Sequence, residues 1–522
     1  MKAAVTAHSK YTISDIDPRL YGSFIEHLGR AVYTGIYEPD HPTADENGMR
    51  KDVIELVKEL NVPIVRYPGG NFVSAYNWED GIGPKESRPT RLDLAWHTCE
   101  SNKVGIHEFA DWCTAANTEM MLAVNLGSRG LDEARNFLEY VNHSGGSEWS
   151  DKRIANGRAE PWDVKLWCLG NEMDGPWQIG HKTADEYGRL AHETAKAMRA
   201  FDSSLELVVC GSSNAHMPTY PEWEATVLDH TYNEVDYISL HMYFENRAKN
   251  TANYLARSIE LDNYIGTVAG VIDYIKAKKR SSKNVYISFD EWNVWYHSKE
   301  RDKATLAGAN GWPHAPALLE DDYNFEDVLQ VGCILNTFIN RADVVKIACL
   351  AQLINVIAPI MTVPGGPAWR QTIFYPYYFA SVYGRGTALK LMVDSPTYRV
   401  DDLGDVPYLD VSAVHDADKK TVTFFIVNRH GAETLDLDVS LLEFGALRVI
   451  DDQVVSHSDL NITNTADAPD NVVAKAVTGT SVVDGKLSAR IAPLSYRMIR
   501  LHAYFKPVFP IHIKRYVDNT IV

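Results

Sequence analysis

Two glutamates, Glu172 and Glu291, stand in the same local setting. The apolar run from Val164 to Leu169 leads through Gly170 to Asn171-Glu172. A second run, Val285-Tyr286-Ile287-Ser288-Phe289-Asp290, leads straight into Glu291-Trp292. A carboxylate beside a carboxamide at the mouth of a buried strand is costly to keep for stability alone. Two such carboxyls held about 5–5.5 Å apart can open a glycosidic bond in two displacements. One protonates the leaving oxygen while the other attacks the anomeric carbon. Either glutamate alone is better explained as a solvated strand end or a rim salt bridge. The pair, on the fourth and seventh runs of the chain, is what points to chemistry.

The elements that must position them repeat regularly. Eight apolar runs read as strands: Tyr21–Glu26, Ile64–Pro68, Met120–Leu126, Val164–Glu172, Leu205–Gly211, Tyr237–Tyr243, Val285–Trp292 and Val344–Gln352. Amphipathic helical segments lie between them, at Lys51–Leu60, Ile106–Ala116, Asp132–Tyr140, Ala184–Ala200, Ala256–Lys276 and Phe325–Asn340. This rhythm predicts an α/β fold, a (β/α)8 TIM barrel with long loops over residues 17–386. An open doubly wound sheet is the competitor, but it usually carries a Gly-rich dinucleotide fingerprint, and none follows the first run. The run ends carry Glu26-His27, Arg66 with Gly69-Gly70-Asn71, Asn125, Asn171-Glu172, Ser212-Ser213-Asn214, His241 with Tyr243, Glu291-Trp292, and Gln352 with Asn355. A ring of hydrogen-bonding side chains at one rim of a barrel suits a sugar.

Composition narrows the function classes. The chain has 522 residues, 23% of them charged, and a formal net charge of −18. That balance argues against nucleic acid and anionic membrane as partners and fits a neutral or cationic ligand. Six cysteines are scattered singly without a C-x-x-C pair, so neither a disulfide framework nor a zinc knuckle is expected. His192-Glu193 lacks the second histidine of a zinc-protease motif, and no phosphate-binding loop of the G-x-x-x-x-G-K type occurs. No metal and no cofactor are expected. The N-terminus lacks the apolar core of a signal peptide, and no window is long enough for a membrane span, which predicts a cytoplasmic protein.

After about Thr387 the helical period fades into short alternating runs: Tyr408–Val414, Thr421–Asn428, Thr434–Leu441, Leu447–Ile450 and Leu487–Leu501. These predict a C-terminal antiparallel β-sandwich over residues 387–503. A strand segment at 1–16 is expected to join it, and residues 504–522 are expected to form a tail. The stretch Tyr296–Asp321 is too long for an ordinary connection and reads as a lid or a subunit contact.

At six segments the chain resembles the α-L-arabinofuranosidases of glycoside hydrolase family 51. They are Tyr21 to Arg30, Arg66-Tyr67-Pro68-Gly69-Gly70-Asn71-Phe72, Trp167 to Gly175, Ser239 to Tyr243, Phe289 to Tyr296, and Ala351 to Asn355. The resemblance implies a retaining, exo-acting enzyme that releases terminal α-L-arabinofuranosyl groups from arabinan, arabinoxylan or their oligosaccharides. It implies an intracellular hexamer with no metal. It also implies Glu291 as nucleophile and Glu172 as acid/base, with the charge on Glu291 raising the proton affinity of Glu172. Asn171 would bond the sugar 2-hydroxyl, where its alternative is a turn or helix cap. Tyr243 would donate to Glu291 and Arg66 would keep it ionised, with His241 in support. A purely structural Arg66 bonded to loop carbonyls is an equal reading. Glu26, Asn71 and Gln352 would hold the furanose hydroxyls, although Glu26 could instead pair with His27 or Arg30. Trp96 and Trp295 are read as aromatic walls, against the commoner role of core packing. The rivals are another glycosidase of the same clan, such as a β-xylosidase, β-galactosidase or endo-glucanase, and a non-catalytic sugar-binding protein.

Overall fold

The computed structural model describes residues 1–504. Eight parallel strands close into a barrel: Gly22–Phe24, Ile64–Tyr67, Glu119–Val124, Leu166–Leu169, Glu206–Cys210, Tyr237–Phe244, Tyr286–Val294 and Val345–Leu350. The last closes on the first through Cys349↔Gly22 and Leu350↔Ser23. Each lies within a run expected from the sequence or at most two residues beyond it. The strands are short and buried on both faces, as parallel strands covered by helices must be. Their inner faces fill the barrel and their outer faces meet the helices. Three helices, Lys51–Leu60, Ile106–Ala116 and Phe325–Asn340, have the bounds that the periodicity gives.

The helix Phe325–Asn340 is buried from Phe325 to Ile339, on every side. It lies between the barrel and a second body, and two of its buried polar side chains find partners there: Asp327 Oδ1 accepts from Tyr254 Oη at 2.9 Å and Asn336 Nδ2 donates to Asp410 Oδ1 at 2.5 Å. On the sandwich side, a Cβ at Gly332 would lie 2.6 Å from Tyr496 Cδ2, so only glycine allows helix and sheet to approach this closely.

The second body is two packed sheets. One runs Met392–Asp394, Lys2–His8, Leu435–Leu442, Lys486–Ile491, Ser481–Val483. The other runs Thr12–Asp15, Thr387–Leu389, Leu409–Asp416, Thr421–Asn428, Ser495–Tyr504, Ala446–Val455, Lys475–Ala476. Val5, Val411, Phe424, Leu437, Val439 and Ile499 share a core separate from that of the barrel. Alternation is clean in Leu435–Leu442, where every second residue is buried. By contrast, Thr421–Asn428 is buried throughout, because the helix Phe325–Asn340 covers its other face.

Two expectations need correction. The run Leu487–Leu501 is two strands in different sheets, parted at Pro493-Leu494, where Leu494 takes φ +40°. The sandwich is also not wholly antiparallel, since Lys2–His8 pairs in parallel with Leu435–Leu442. Four helices have no counterpart in the sequence reading: Glu148–Ala155, Glu222–Thr231, Lys299–Leu306 and Phe374–Tyr383. Glu222–Thr231 has a weak apolar stripe, and Phe374–Tyr383 is crowded with aromatics around Pro376. The expected tail lies, apart from Tyr504, outside the described residues. Among the described residues no helix is long and apolar enough to cross a membrane.

Candidate active site

Arg66, on the second barrel strand, is fully buried and is the hub of the site. Its Nη1 donates to Glu291 Oε1 at 2.7 Å and its Nη2 to Asn171 Oδ1 at 2.6 Å, while Nε lies 3.7 Å from Asp290 Oδ2. No loop carbonyl is among its partners, so the reading of Arg66 as a loop brace fails. Burial pulls its pKa down, but Asp290 and Glu291 outweigh that and raise it well above the ordinary value.

Asp290 and Glu291 are consecutive, and in a regular strand they would face opposite sides of the sheet. Here both meet one guanidinium. The pairing between neighbouring strands explains it: Ser239↔Ser288 is followed by His241↔Glu291, one extra residue on the Glu291 strand. A bulge of this kind re-aims a side chain. It turns both carboxyls inward. Tyr243 Oη donates to Glu291 Oε2 at 2.8 Å, so Glu291 is held on both oxygens.

Glu172 arrives differently. Past Leu169 the chain turns through Gly170 at φ +90°, and Glu172 itself adopts the left-handed region at φ +43°. For a residue with a Cβ that conformation costs of order 1 kcal/mol. The carboxyl is then clamped, Oε2 by Trp177 Nε1 at 2.6 Å and Oε1 by His241 Nδ1 at 2.9 Å. One oxygen of Glu172, one of Glu291 and one ring nitrogen of His241 all lie within 4.8 Å of one another. This is the spacing of two carboxyls that share a sugar ring, with no room for an intervening nucleophilic water.

Burial is the first cause that pushes Glu172 above the ordinary carboxylate range, with the charge on Glu291 adding to it and the bonds from His241 and Trp177 opposing. The expected contribution of Glu291 is present, with desolvation ahead of it. His241 is also buried, yet it is pushed up to about 10 by the charge on Glu291 and by hydrogen bonds to Asp290 and Glu172. Its Nε2 sits 3.1 Å from Asp290 Oδ1. Asp290 is held below its usual range by Arg66 and His241 in spite of burial. Glu172, His241 and Glu291 are also the one acidic and histidine group among the described residues compact enough to cage a cation. A charged His241 with both nitrogens engaged has no lone pair to give.

These groups open into a cavity of about 740 Å³. Glu26, Asn71, Trp96, Tyr243, Trp295 and Gln352 all line it. Glu26 Oε1 accepts from Phe72 N at 2.8 Å and from Trp96 Nε1 at 3.0 Å, and Oε2 from Gln352 Nε2 at 3.3 Å. Its suggested partners are elsewhere: His27 bonds Glu100 and Tyr67, and Arg30 pairs with Glu320. Burial first, and then Glu291, push Glu26 up to about 8. Trp96 is therefore a hydrogen-bonding wall. Trp295 packs edge-on against Tyr243 with ring centroids 5.5 Å apart. Asn71 opens the short 3-10 turn Asn71–Ala75. Asn171 is neither a cap nor a turn brace, since its Oδ1 is taken by Arg66 while its buried Nδ2 has no protein partner. A Cβ at Gly70 would lie 2.9 Å from Glu291 Oε1, 3.4 Å from Glu26 Oε2 and 3.5 Å from Asn171 Nδ2. The glycine keeps that corner open.

Sequence reasoning missed Trp177 and Asp290. Trp177 lies in the loop after the fourth strand and is 48% exposed, which hides it from any burial pattern. Asp290 could have been found by asking what neutralises a buried Arg66. The long stretch after the nucleophile strand holds a short helix, Lys299–Leu306, and Trp312 stacks on His97. Leu319 is its contribution to the cavity lining.

Comparison with known proteins agrees with this geometry. Residues 56–260 match the family model described as the alpha-L-arabinofuranosidase 1 domain, and residues 290–495 match the alpha-L-arabinofuranosidase C-terminal domain. An intracellular exo-alpha-(1->5)-L-arabinofuranosidase from Bacillus subtilis is 57% identical over 96% of this chain and 99% of its own length. An exo-alpha-(1->6)-L-arabinofuranosidase from Bifidobacterium longum is 47% identical over 96% of this chain and 97% of its own. A solved family 51 alpha-L-arabinofuranosidase, also from Bifidobacterium longum, superposes with a TM-score of 0.91 at 44% identity, covering 96% of this chain and 99% of that one. A Thermotoga maritima alpha-L-arabinofuranosidase solved with arabinose gives 0.84 at 33% identity, over 96% and 99%.

Proposed function

Because the chain belongs to the family 51 α-L-arabinofuranosidases, we propose that Glu291 is its nucleophile and Glu172 its acid/base. The protein is an exo-acting glycoside hydrolase that removes α-L-arabinofuranosyl groups from the non-reducing ends of its substrates, with retention. Arabinan, arabinoxylan and arabino-oligosaccharides are the substrate class. Relatives named for both α-(1→5) and α-(1→6) linkages leave either bond as a substrate. Those named intracellular support a cytoplasmic location.

One observation carries the two-displacement reading: carboxyl oxygens of Glu172 and Glu291 lie within 4.8 Å of each other in the lining of one cavity. In the first displacement Glu172 protonates the glycosidic oxygen and Glu291 attacks the anomeric carbon, giving a glycosyl ester. In the second, Glu172 takes a proton from water, which opens the ester. Arg66 and Tyr243 hold Glu291 on its two oxygens, in line for attack. His241 bridges Glu172 and Asp290 and fixes the carboxyl of Glu172. The free Nδ2 of Asn171 is the donor for the sugar 2-hydroxyl. Glu26, Asn71 and Gln352 take the remaining hydroxyls, between walls made by Trp96 and Trp295. A homo-oligomer, a hexamer by family resemblance, is part of the proposal.

The test is Glu291→Ala with 4-nitrophenyl α-L-arabinofuranoside. Turnover should vanish, and azide should restore it with a glycosyl azide of inverted configuration. A retained product would mean that the two roles are exchanged. Turnover of a β-xyloside but not of the α-L-arabinofuranoside would move the protein to a different member of the clan.

A further inference from the structure

The cavity continues past the sugar pocket to a second group of charged side chains, His216, Arg257 and Glu260. None of them is bonded to Glu172 or Glu291. They are bonded to one another: His216 Nε2 sits 2.9 Å from Glu260 Oε1, and Arg257 Nη1 donates to Glu260 Oε2 at 3.2 Å. The guanidinium is then gripped from outside the barrel. Asp402 takes Nη1 at 2.7 Å and Nη2 at 2.9 Å, a two-pronged carboxylate pairing that fixes its plane.

Asp402 comes from the hairpin Thr397–Val400 and Gly404–Pro407, inserted between the sandwich strands Met392–Asp394 and Leu409–Asp416. This hairpin leaves the sandwich and docks on the N-terminal part of the helix Thr251–Lys279. Ala256, Val400 and Val406 form a small buried cluster there, and Tyr398 Oη donates to the Ala252 carbonyl at 2.9 Å. The docking is thus apolar and specific, independent of the ion pair. Its visible result is one fixed arginine on the wall of the cavity.

We propose that this wall is a subsite for the leaving-group part of the substrate, contacting hydroxyls of a sugar beyond the scissile bond. In this scheme Asp402 is a positioning residue that sets how well oligosaccharides are used relative to simple glycosides. The inference rests on the arabinofuranosidase reading and deepens it. An exo-acting site holds one terminal unit, and a single pentosyl group fills only part of about 740 Å³. The rest of the substrate must lie on the leaving side. Arg257 has five N–H groups, of which Nε goes to Asn253, both Nη1 hydrogens to Glu260 and Asp402, and one Nη2 hydrogen to Asp402. One N–H remains. The arginine's charge is matched by two carboxylates, so the wall offers fixed donors and acceptors with no excess cation to select an acidic ligand. A neutral saccharide fits that surface.

The experiment compares kcat/KM on 4-nitrophenyl α-L-arabinofuranoside with that on α-(1→5)-linked arabinotetraose. Asp402→Ala should cut the tetraose value about tenfold, mainly through KM, while the aryl value stays within about twofold. Asp402→Glu, which can still pair with Arg257, should recover most of the loss. Glu260→Gln should lower the tetraose-to-aryl ratio in the same direction. Parallel losses on both substrates, or an unchanged ratio in both Asp402→Ala and Glu260→Gln, overturn the inference. Should the parent protein fail on the aryl arabinofuranoside, the activity reading itself falls, which is a separate outcome. Melting temperatures guard against misfolding. If Asp402→Ala melts early, Glu260→Gln carries the comparison.

Discussion

Replacing Glu172 by alanine separates the two displacements. A positioned general acid contributes about 10²–10⁴ to rate, or roughly 3–5 kcal/mol at 1.36 kcal/mol per decade. The upper half of that range applies here. Burial pushes the Glu172 carboxyl above its ordinary range, so at neutral pH more of it carries the proton than an exposed glutamate would. The clamp from Trp177 and His241 holds it in one place. For arabino-oligosaccharides, whose leaving group is a poor one, kcat/KM should fall about 10³–10⁴-fold. For a 2,4-dinitrophenyl arabinofuranoside, which leaves without protonation, the loss should be tenfold at most. Deglycosylation then limits, so a burst should appear and azide should raise kcat, giving a glycosyl azide of retained configuration. The sign of the pH effect follows. The parent enzyme loses acid catalysis as pH rises through the raised pKa of Glu172, so the alkaline limb of kcat/KM should lie above the ordinary carboxylate range. That limb should disappear in the variant. Equal losses on both substrates, or an inverted azide product, would refute the assignment.

Three further substitutions probe separate parts of the argument. Asn171→Ala removes a buried N–H that has no protein partner; kcat should fall about 10²–10³-fold with a smaller change in KM, measured on the aryl glycoside. Gly70→Ala puts a methyl 2.9 Å from Glu291 Oε1, and the displaced nucleophile should cost at least about 100-fold in kcat/KM with little change in melting temperature. Gly332→Ala drives a methyl against Tyr496 at 2.6 Å between helix and sandwich; overpacking of about 1–3 kcal/mol should lower the melting temperature by a few degrees while kcat/KM holds.

The barrel was legible because its strands are apolar runs that end in polar side chains, and those ends converge on one rim. The catalytic pair followed from that. What the sequence hid was anything set by register. Asp290 and Glu291 read as neighbours on opposite faces, and only the extra residue opposite Ser239–His241 brings both to Arg66. Trp177 lay in a loop with no periodicity, so nothing marked it as a partner for Glu172. The hairpin carrying Asp402 fell before the first expected sandwich run, Tyr408–Val414, and its docking on a barrel helix brings Val400 and Val406 to Ala256, which is distant in sequence. The continuous run Leu487–Leu501 masked a change of sheet: Lys486–Ile491 alternates in burial, while Ser495–Ile499 is buried on both faces.

The charges around Arg66 explain why two buried glutamates can act in turn without remaking the site. In the proposed mechanism Glu172 enters the reaction carrying its proton, beside the carboxylates of Glu291 and Asp290 and the two facing cations, Arg66 and His241. In the first displacement Glu172 loses its proton to the leaving group and becomes an anion, while Glu291 becomes a neutral ester. One negative charge disappears and one appears, a carboxyl's width away. The net charge of the cluster is the same on either side of the step. His241 lies within 4.8 Å of both carboxyls, bonded to Glu172 at 2.9 Å and 3.7 Å from Glu291, so the cation sits between the old and new positions of the charge. Dipoles and ions already in place need little reorganisation when charge moves between groups that both lie beside them, and that is where electrostatic preorganisation gains most. A cation that meets only Glu291 of the two glutamates, as Arg66 does, would hold the charge where it started. The placement of His241 on the sixth barrel strand, next to the strand of Glu291 and paired in register with it, is what lets the charge cross.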